Sequence, residues 1–127
     1  MIERLCIIGT GLIGGSLARA LRAAGQCREV VGCSRNPAHL QQAVDLGVID
    51  RFDTDPVQAV AGADMVLVAV PLGAMEPVFS SLRGHLDSNT VLTDVGSAKT
   101  GVVEAARRGF GELPPNFVPG HPIAGTE

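Results

Sequence analysis

Two short stretches at opposite ends of the sequence carry residue types that could do chemistry. Near the N-terminus, Gly9, Gly11 and Gly14 are spaced as Gly-x-Gly-x-x-Gly. That spacing suits a loop whose backbone approaches a pyrophosphate. In residues 118–127, His121 stands between Gly120 and Pro122, and Ala-Gly-Thr-Glu ends the run at Glu127. A neutral imidazole held in such a loop can accept a proton at physiological pH. A phosphate cradle and a positioned base together point to hydride transfer.

The glycine motif gains weight from its surroundings, because it follows an apolar β-branched run and opens an amphipathic pattern. Gly9 would permit a tight turn, Gly11 a close backbone approach, and Gly14, with Gly15, close helix–strand packing. Leu12 and Ile13 lie at the helix start, where free N–H groups and a positive dipole end meet phosphates. The plain alternative is a strand–helix turn with no ligand. The second diagnostic position lies about 20 residues further on, where an acid would hold the ribose 2′-hydroxyl of NAD. Residues 33–36 contain no carboxylate; they include Ser34 and Arg35. A hydroxyl donor and a guanidinium suit a 2′-phosphate, so the sequence favours NADP over NAD. The alternative makes Arg35 a solvated charge stacking on the adenine.

Val70 and Pro71 close an apolar run and would line the dinucleotide at the carboxyl edge of a sheet, while serving equally as a strand end and turn. Ser97 sits in Thr-Asp-Val-Gly-Ser-Ala-Lys, near the start of a helix and the expected nicotinamide position. An ordinary helix cap explains Ser97 as well. Lys99 is open between a surface role and an anion contact, and Asp94 can tie down its loop. His39 and His85 lie in polar surroundings and read as solvated. For His121, the local sequence alone leaves a structural role as good an explanation as a base.

These residues need a scaffold that brings strand ends together. Five apolar runs recur, at residues 5–8, 30–33, 65–70, 91–93 and 117–118. Helical patterns separate most of them, at residues 12–24, from Pro37 to before Gly47, from Pro56 through Val60, at 74–82 and at 99–108. Asn36 and Asp55 precede prolines as caps, and Gly25 is a stop signal. In the first helix, Ile13, Leu17, Ala20, Leu21 and Ala24 share a face, which leaves Arg19 and Arg22 to water. Alternating strand and helix signals predict an α/β fold, a Rossmann-type doubly wound, mostly parallel sheet with helices on both faces.

Composition narrows the function classes. The 127 residues suffice for one domain, and residues 1–127 read as a single NAD(P)-binding unit without internal repeat or linker. A net charge of −3, with no Trp or Tyr, gives no footprint for nucleic acid. No apolar run reaches the roughly 18 residues that span a membrane. No secretion signal precedes the first strand, so a cytoplasmic location is expected. Cys6, Cys27 and Cys33 match no zinc spacing, and no metal site is expected. Cys6 and Cys33 read as buried small hydrophobes.

Gly-Thr-Gly-Leu-Ile-Gly-Gly-Ser, Ala-Val-Pro-Leu, Thr-Asp-Val-Gly-Ser-Ala-Lys and Gly-His-Pro-Ile-Ala-Gly-Thr-Glu occur here in that order. Together they resemble the cofactor domain of prephenate/arogenate dehydrogenases, across essentially the whole chain. The resemblance implies oxidative decarboxylation of a small-molecule substrate, prephenate or arogenate. It implies that His121 hydrogen-bonds the ring hydroxyl, that Ser97 positions that hydroxyl and the nicotinamide, and that Glu127 lies near the substrate's way in. It also implies a C-terminal helical domain that makes a homodimer and binds substrate carboxylates. The 127 residues contain no such domain, so they are expected to be the cofactor-binding part of a longer chain. Another Rossmann dehydrogenase or imine-type reductase, and a non-catalytic NAD(P)-binding module, are the alternatives.

Overall fold

The computed structural model describes residues 2–9, 12–70, 72–86, 89–94, 99–111 and 117; for residues 12–17, 72 and 99–103 only the backbone is considered. The chain runs β1 (Ile2–Ile8), α1 (Leu12–Ala23), β2 (Cys27–Cys33), α2 (Pro37–Asp45), β3 (Arg51–Asp53), α3 (Pro56–Ala59), β4 (Met65–Val68), α4 (Leu72–Leu82), β5 (Val91–Asp94) and α5 (Lys99–Phe110). The five strands form one parallel sheet in the order β3-β2-β1-β4-β5. The order reverses direction beside β1, which creates a crevice at the carboxyl ends of β1 and β4. Doubly wound sheets bind their ligands in such a crevice.

Both faces of the sheet are buried, so its central strands read as continuous apolar runs rather than alternating ones. Leu5 and Ile7 of β1 pack with Ala18, Val30, Leu40 and Leu67. Cys6 and Ile8 turn to the other face and pack with Val66, Val68, Met75, Phe79 and Leu92. Phe79 anchors that second layer, with ring centroids 5.4 Å from Phe110 and 5.9 Å from Phe117. Edge and tilted contacts of this kind suit the ring quadrupoles.

The helix ends follow the local chemistry. Asn36 Oδ1 accepts from the amides of Ala38 (3.0 Å) and His39 (3.3 Å), and Asp55 Oδ1 accepts from Val57 N (3.1 Å). Each cap precedes a proline at the first helical position, where the missing N–H costs nothing. Gly25 follows α1 with φ of +70°, as an αL stop requires.

Two expectations need correction. β3 falls outside the five apolar runs. Arg51-Phe52-Asp53 is an edge strand held by backbone pairing to Val31–Cys33, and charges at an edge discourage further strand addition. The run at 65–70 leaves the sheet after Val68. Of the run at 117–118, Phe117 makes a parallel bridge to Leu92, and Val118 lies outside the described residues.

The face expected on α1 holds only in part among the described side chains. Ala18 is fully buried and Leu21 partly so, but Ala20 and Ala24 are exposed. Arg19 does face water. Arg22 does so only in part: its guanidinium donates to Asp50 Oδ2, and that same oxygen accepts from Val30 N at 2.7 Å. The helix thereby clips to the turn before β3. A polar anchor set by tertiary contact overrides the apolar periodicity at that end.

Candidate cofactor site

The end of β1 is braced on both sides. Gly9 N–H donates to the carbonyl of Cys33 at 2.7 Å, and Ala69 N–H donates to the carbonyl of Ile8, also at 2.7 Å. Gly9 takes φ of +109°, where L side chains rarely go, and a β-carbon there would lie 2.5 Å from Ala69 O. The glycine is therefore required twice, by its backbone angle and by the neighbouring strand. The chain then enters α1 at Leu12, whose first amides have no intrahelical acceptor.

A cavity of about 630 Å³ opens beside this turn. Ile8 and Gly9 form its floor with Ala69 and Val70, which follow β4. Cys33, Ser34 and Arg35 supply one wall, and Thr54 and Pro56 extend it. Ala74, Pro77, Val78 and Ser81 of α4 form the other wall. These four recur at i, i+3, i+4 and i+7, one helical stripe, while Met75, Phe79 and Leu82 turn into the core. The volume and the mix of apolar surface with a few polar groups suit a nucleoside-sized ligand.

Each polar group has a defined setting. Ser34 Oγ accepts from Asn36 N at 3.2 Å, which leaves its hydroxyl hydrogen free of that bond. Arg35 is exposed at the rim. Ser81 Oγ donates to the carbonyl of Pro77 at 2.9 Å and keeps lone pairs for a donor in the cavity. Cys33 is buried and its thiol is pushed up to about 11, by burial first and then by the carboxylates of Asp53 and Asp55. Cys6 behind it is pushed up to about 12, by burial and by Cys33, against a smaller opposing pull from Arg51. Neither thiol is a nucleophile at neutral pH.

Gly9, Ser34, Arg35 and Val70, four of the residues singled out from sequence, thus meet at one cavity. Leu12, Ile13 and Gly14 lie in the first turn of α1. Gly11, Pro71, Ser97, His121 and Glu127 lie outside the described residues. Sequence reasoning missed Thr54, Pro56 and the α4 stripe. The stripe was readable as a helical period, but Thr54 follows a strand too short and too charged to signal itself. His39 and His85 are exposed, as their polar surroundings suggested, and Asp94 is buried at the end of β5. Among the described residues no group of three His, Cys, Asp or Glu is placed to hold a metal, and no helix is long and apolar enough to cross a membrane.

Comparison with known proteins agrees with this geometry. The family model for the prephenate dehydrogenase nucleotide-binding domain matches residues 17–127. The cyclohexadienyl dehydrogenase of Zymomonas mobilis is 35% identical, over 100% of this chain and 43% of that protein. The prephenate dehydrogenase of Lactococcus lactis is 31% identical, over 98% of this chain and 35% of that protein. The chain thus spans less than half the length of these curated relatives. Among solved structures, prephenate dehydrogenase from A. aeolicus, in complex with hydroxyphenyl propionate and NAD+, superimposes with a TM-score of 0.86 at 34% identity, covering 100% of this chain and 44% of that one. Arogenate dehydrogenase from Synechocystis gives 0.82 at 32% identity, covering 98% and 42%. The order of the sheet, the glycine turn and these matches place the chain in the prephenate dehydrogenase family, as its nucleotide-binding domain.

Proposed function

We propose that residues 1–127 are the cofactor-binding part of a dehydrogenase that oxidatively decarboxylates prephenate, arogenate or both, and that they take NADP in preference to NAD. The observation that carries this reading is the wall formed by Ser34 and Arg35 beside Gly9, in a cavity where residues 33–36 offer no carboxylate. A ribose 2′-hydroxyl would find no acid at the end of β2, where such an acid would stand. A 2′-phosphate would find a hydroxyl donor and a guanidinium. The cradle fits a dinucleotide, since a β-carbon at Gly9 would close the floor against Ala69.

The bound nicotinamide supplies the hydride acceptor. Following the family resemblance, His121 accepts the proton of the substrate's ring hydroxyl as hydride leaves the same carbon. The bond to the ring carboxylate then breaks, carbon dioxide departs with the electron pair left in the ring, and the ring becomes aromatic. Ser97 orients the hydroxyl, and Glu127 lies at the substrate's approach. The chain's contribution is orientation and a base of suitable pKa. In this reading a second, helical domain of the longer family chain supplies the homodimer contact and the cations for the substrate carboxylates.

Calorimetric titration of the chain with NADP and with NAD tests the reading. NADP should bind more tightly, and Arg35→Ala should weaken NADP about tenfold while sparing NAD, the loss expected for one charge-assisted contact. Tighter NAD binding would overturn the preference, and binding of neither would overturn the cofactor assignment. Turnover assays of a chain that carries both domains, with prephenate and arogenate and followed by nicotinamide absorbance, should lose activity on His121→Asn. Unchanged turnover would remove His121 from the chemistry.

A further inference from the structure

The wall that carries Arg35 runs beside a segment, residues 53–55, that carries two acids. Cys33 on β2 stands in register with Asp53 on β3, so Ser34-Arg35 and Thr54-Asp55 leave the sheet side by side. Ser34, Arg35 and Thr54 all line the cavity. Asp53 and Asp55 flank Thr54 in sequence, so two carboxylates adjoin this wall without lining the cavity themselves. Neither acid makes an ion pair among the described residues. Instead Asp53 Oδ1 accepts from Asp55 N at 2.8 Å, and Asp55 Oδ1 accepts from Val57 N at 3.1 Å. Both carboxylates are thereby held by backbone amides rather than by an ion pair among the described residues.

We propose that Asp53 and Asp55 are specificity-determining residues that repel the 2′-phosphate and hold the NADP preference set by Ser34 and Arg35 to a modest one. This rests on the cofactor reading above. The field of both acids reaches the cavity wall: after burial, they are what raises the Cys33 thiol. The two opposing influences act over different distances. Arg35 would act by direct contact, and the acids by a longer-range field that salt screens first. NAD and NADP share their pyrophosphate, so the ratio of their affinities isolates the 2′-phosphate from every other charge effect.

The unmodified chain gives the first test. Titrated with NADP and NAD from about 0.05 to 0.5 M salt, its preference for NADP should increase with salt, because the repulsion fades before the contact does. A preference that falls with salt would mean that the local field is attractive and would overturn the proposal. Asp53→Asn and Asp55→Asn give the second test, because asparagine keeps the amide-accepting oxygen and the cap. Each should tighten NADP about threefold at low salt and leave NAD unchanged within about twofold, with the gain lost at high salt. Equal shifts for both cofactors, or none, would overturn it. Failure of either cofactor to bind the unmodified chain would instead overturn the assignment of the cavity itself.

Discussion

A β-carbon built on Gly9 would lie 2.5 Å from the carbonyl oxygen of Ala69, on the neighbouring strand's exit. The glycine turn and the end of β4 therefore define one another. Both line the cavity that opens beside this close approach.

Gly9→Ala should consequently damage both stability and binding. The positive φ and the contact with Ala69 each cost about 1–3 kcal/mol. Urea unfolding should show a loss of about 3 kcal/mol, and cofactor titration of the folded fraction should show weakened binding. Unaltered binding and stability would mean that the turn relaxes freely.

Gly109 marks a second close approach, between α5 and α4. A β-carbon there would stand 2.6 Å from Phe79 Cβ and 2.9 Å from both Glu76 O and Ser80 N. Alanine favours an exposed helix by up to about 1 kcal/mol, but overpacking costs about 1–3 kcal/mol. Because backbone atoms block the space, Gly109→Ala should destabilise, and a raised melting temperature would contradict this packing.

Acid should loosen two polar clips. Burial raises the Asp50 carboxyl, but the Val30 amide and the Arg22 guanidinium outweigh it and hold it below its usual range. Glu29, bonded to Arg4 at 2.5 Å and Arg51 at 3.1 Å, is lowered by those two contacts. Groups depressed in the folded state stabilise it above their unfolded values of about 4, and that contribution disappears as pH falls through the folded values. Stability measured from pH 6 to pH 2 should decline below about pH 4. Asp50→Ala should flatten the decline and cost about 1–2 kcal/mol at neutral pH, a modest amount because the pair is partly solvated.

The thiols should be inert in the native state. Burial pushes the thiols of Cys6 and Cys33 up to about 12 and about 11, and Cys27 is also buried with its thiol raised, by burial above all. A disulfide-exchange reagent at pH 8 should label none of them rapidly and all three on unfolding. Fast labelling of Cys33 in the native state would mean that the cavity wall opens.

The sequence by itself determined the features that depend on neighbours along the chain. Apolar runs at β1, β2, β4 and β5, the caps at Asn36 and Asp55, and the stop at Gly25 follow from backbone chemistry within a few residues. The glycine spacing and the Ser34-Arg35 pair were legible for the same reason. Tertiary structure decided what depends on strangers in sequence. Edge strand β3 has little apolar signature because backbone pairing, the single apolar side chain of Phe52 and the Arg51–Glu29 bond hold it. Arg22 turns inward because Asp50, 28 residues away, presents a carboxylate beside the Val30 amide. The cavity joins ends of β1, β2, β3 and β4 with one stripe of α4, and only a parallel sheet whose strand order reverses beside β1 brings those ends to one edge.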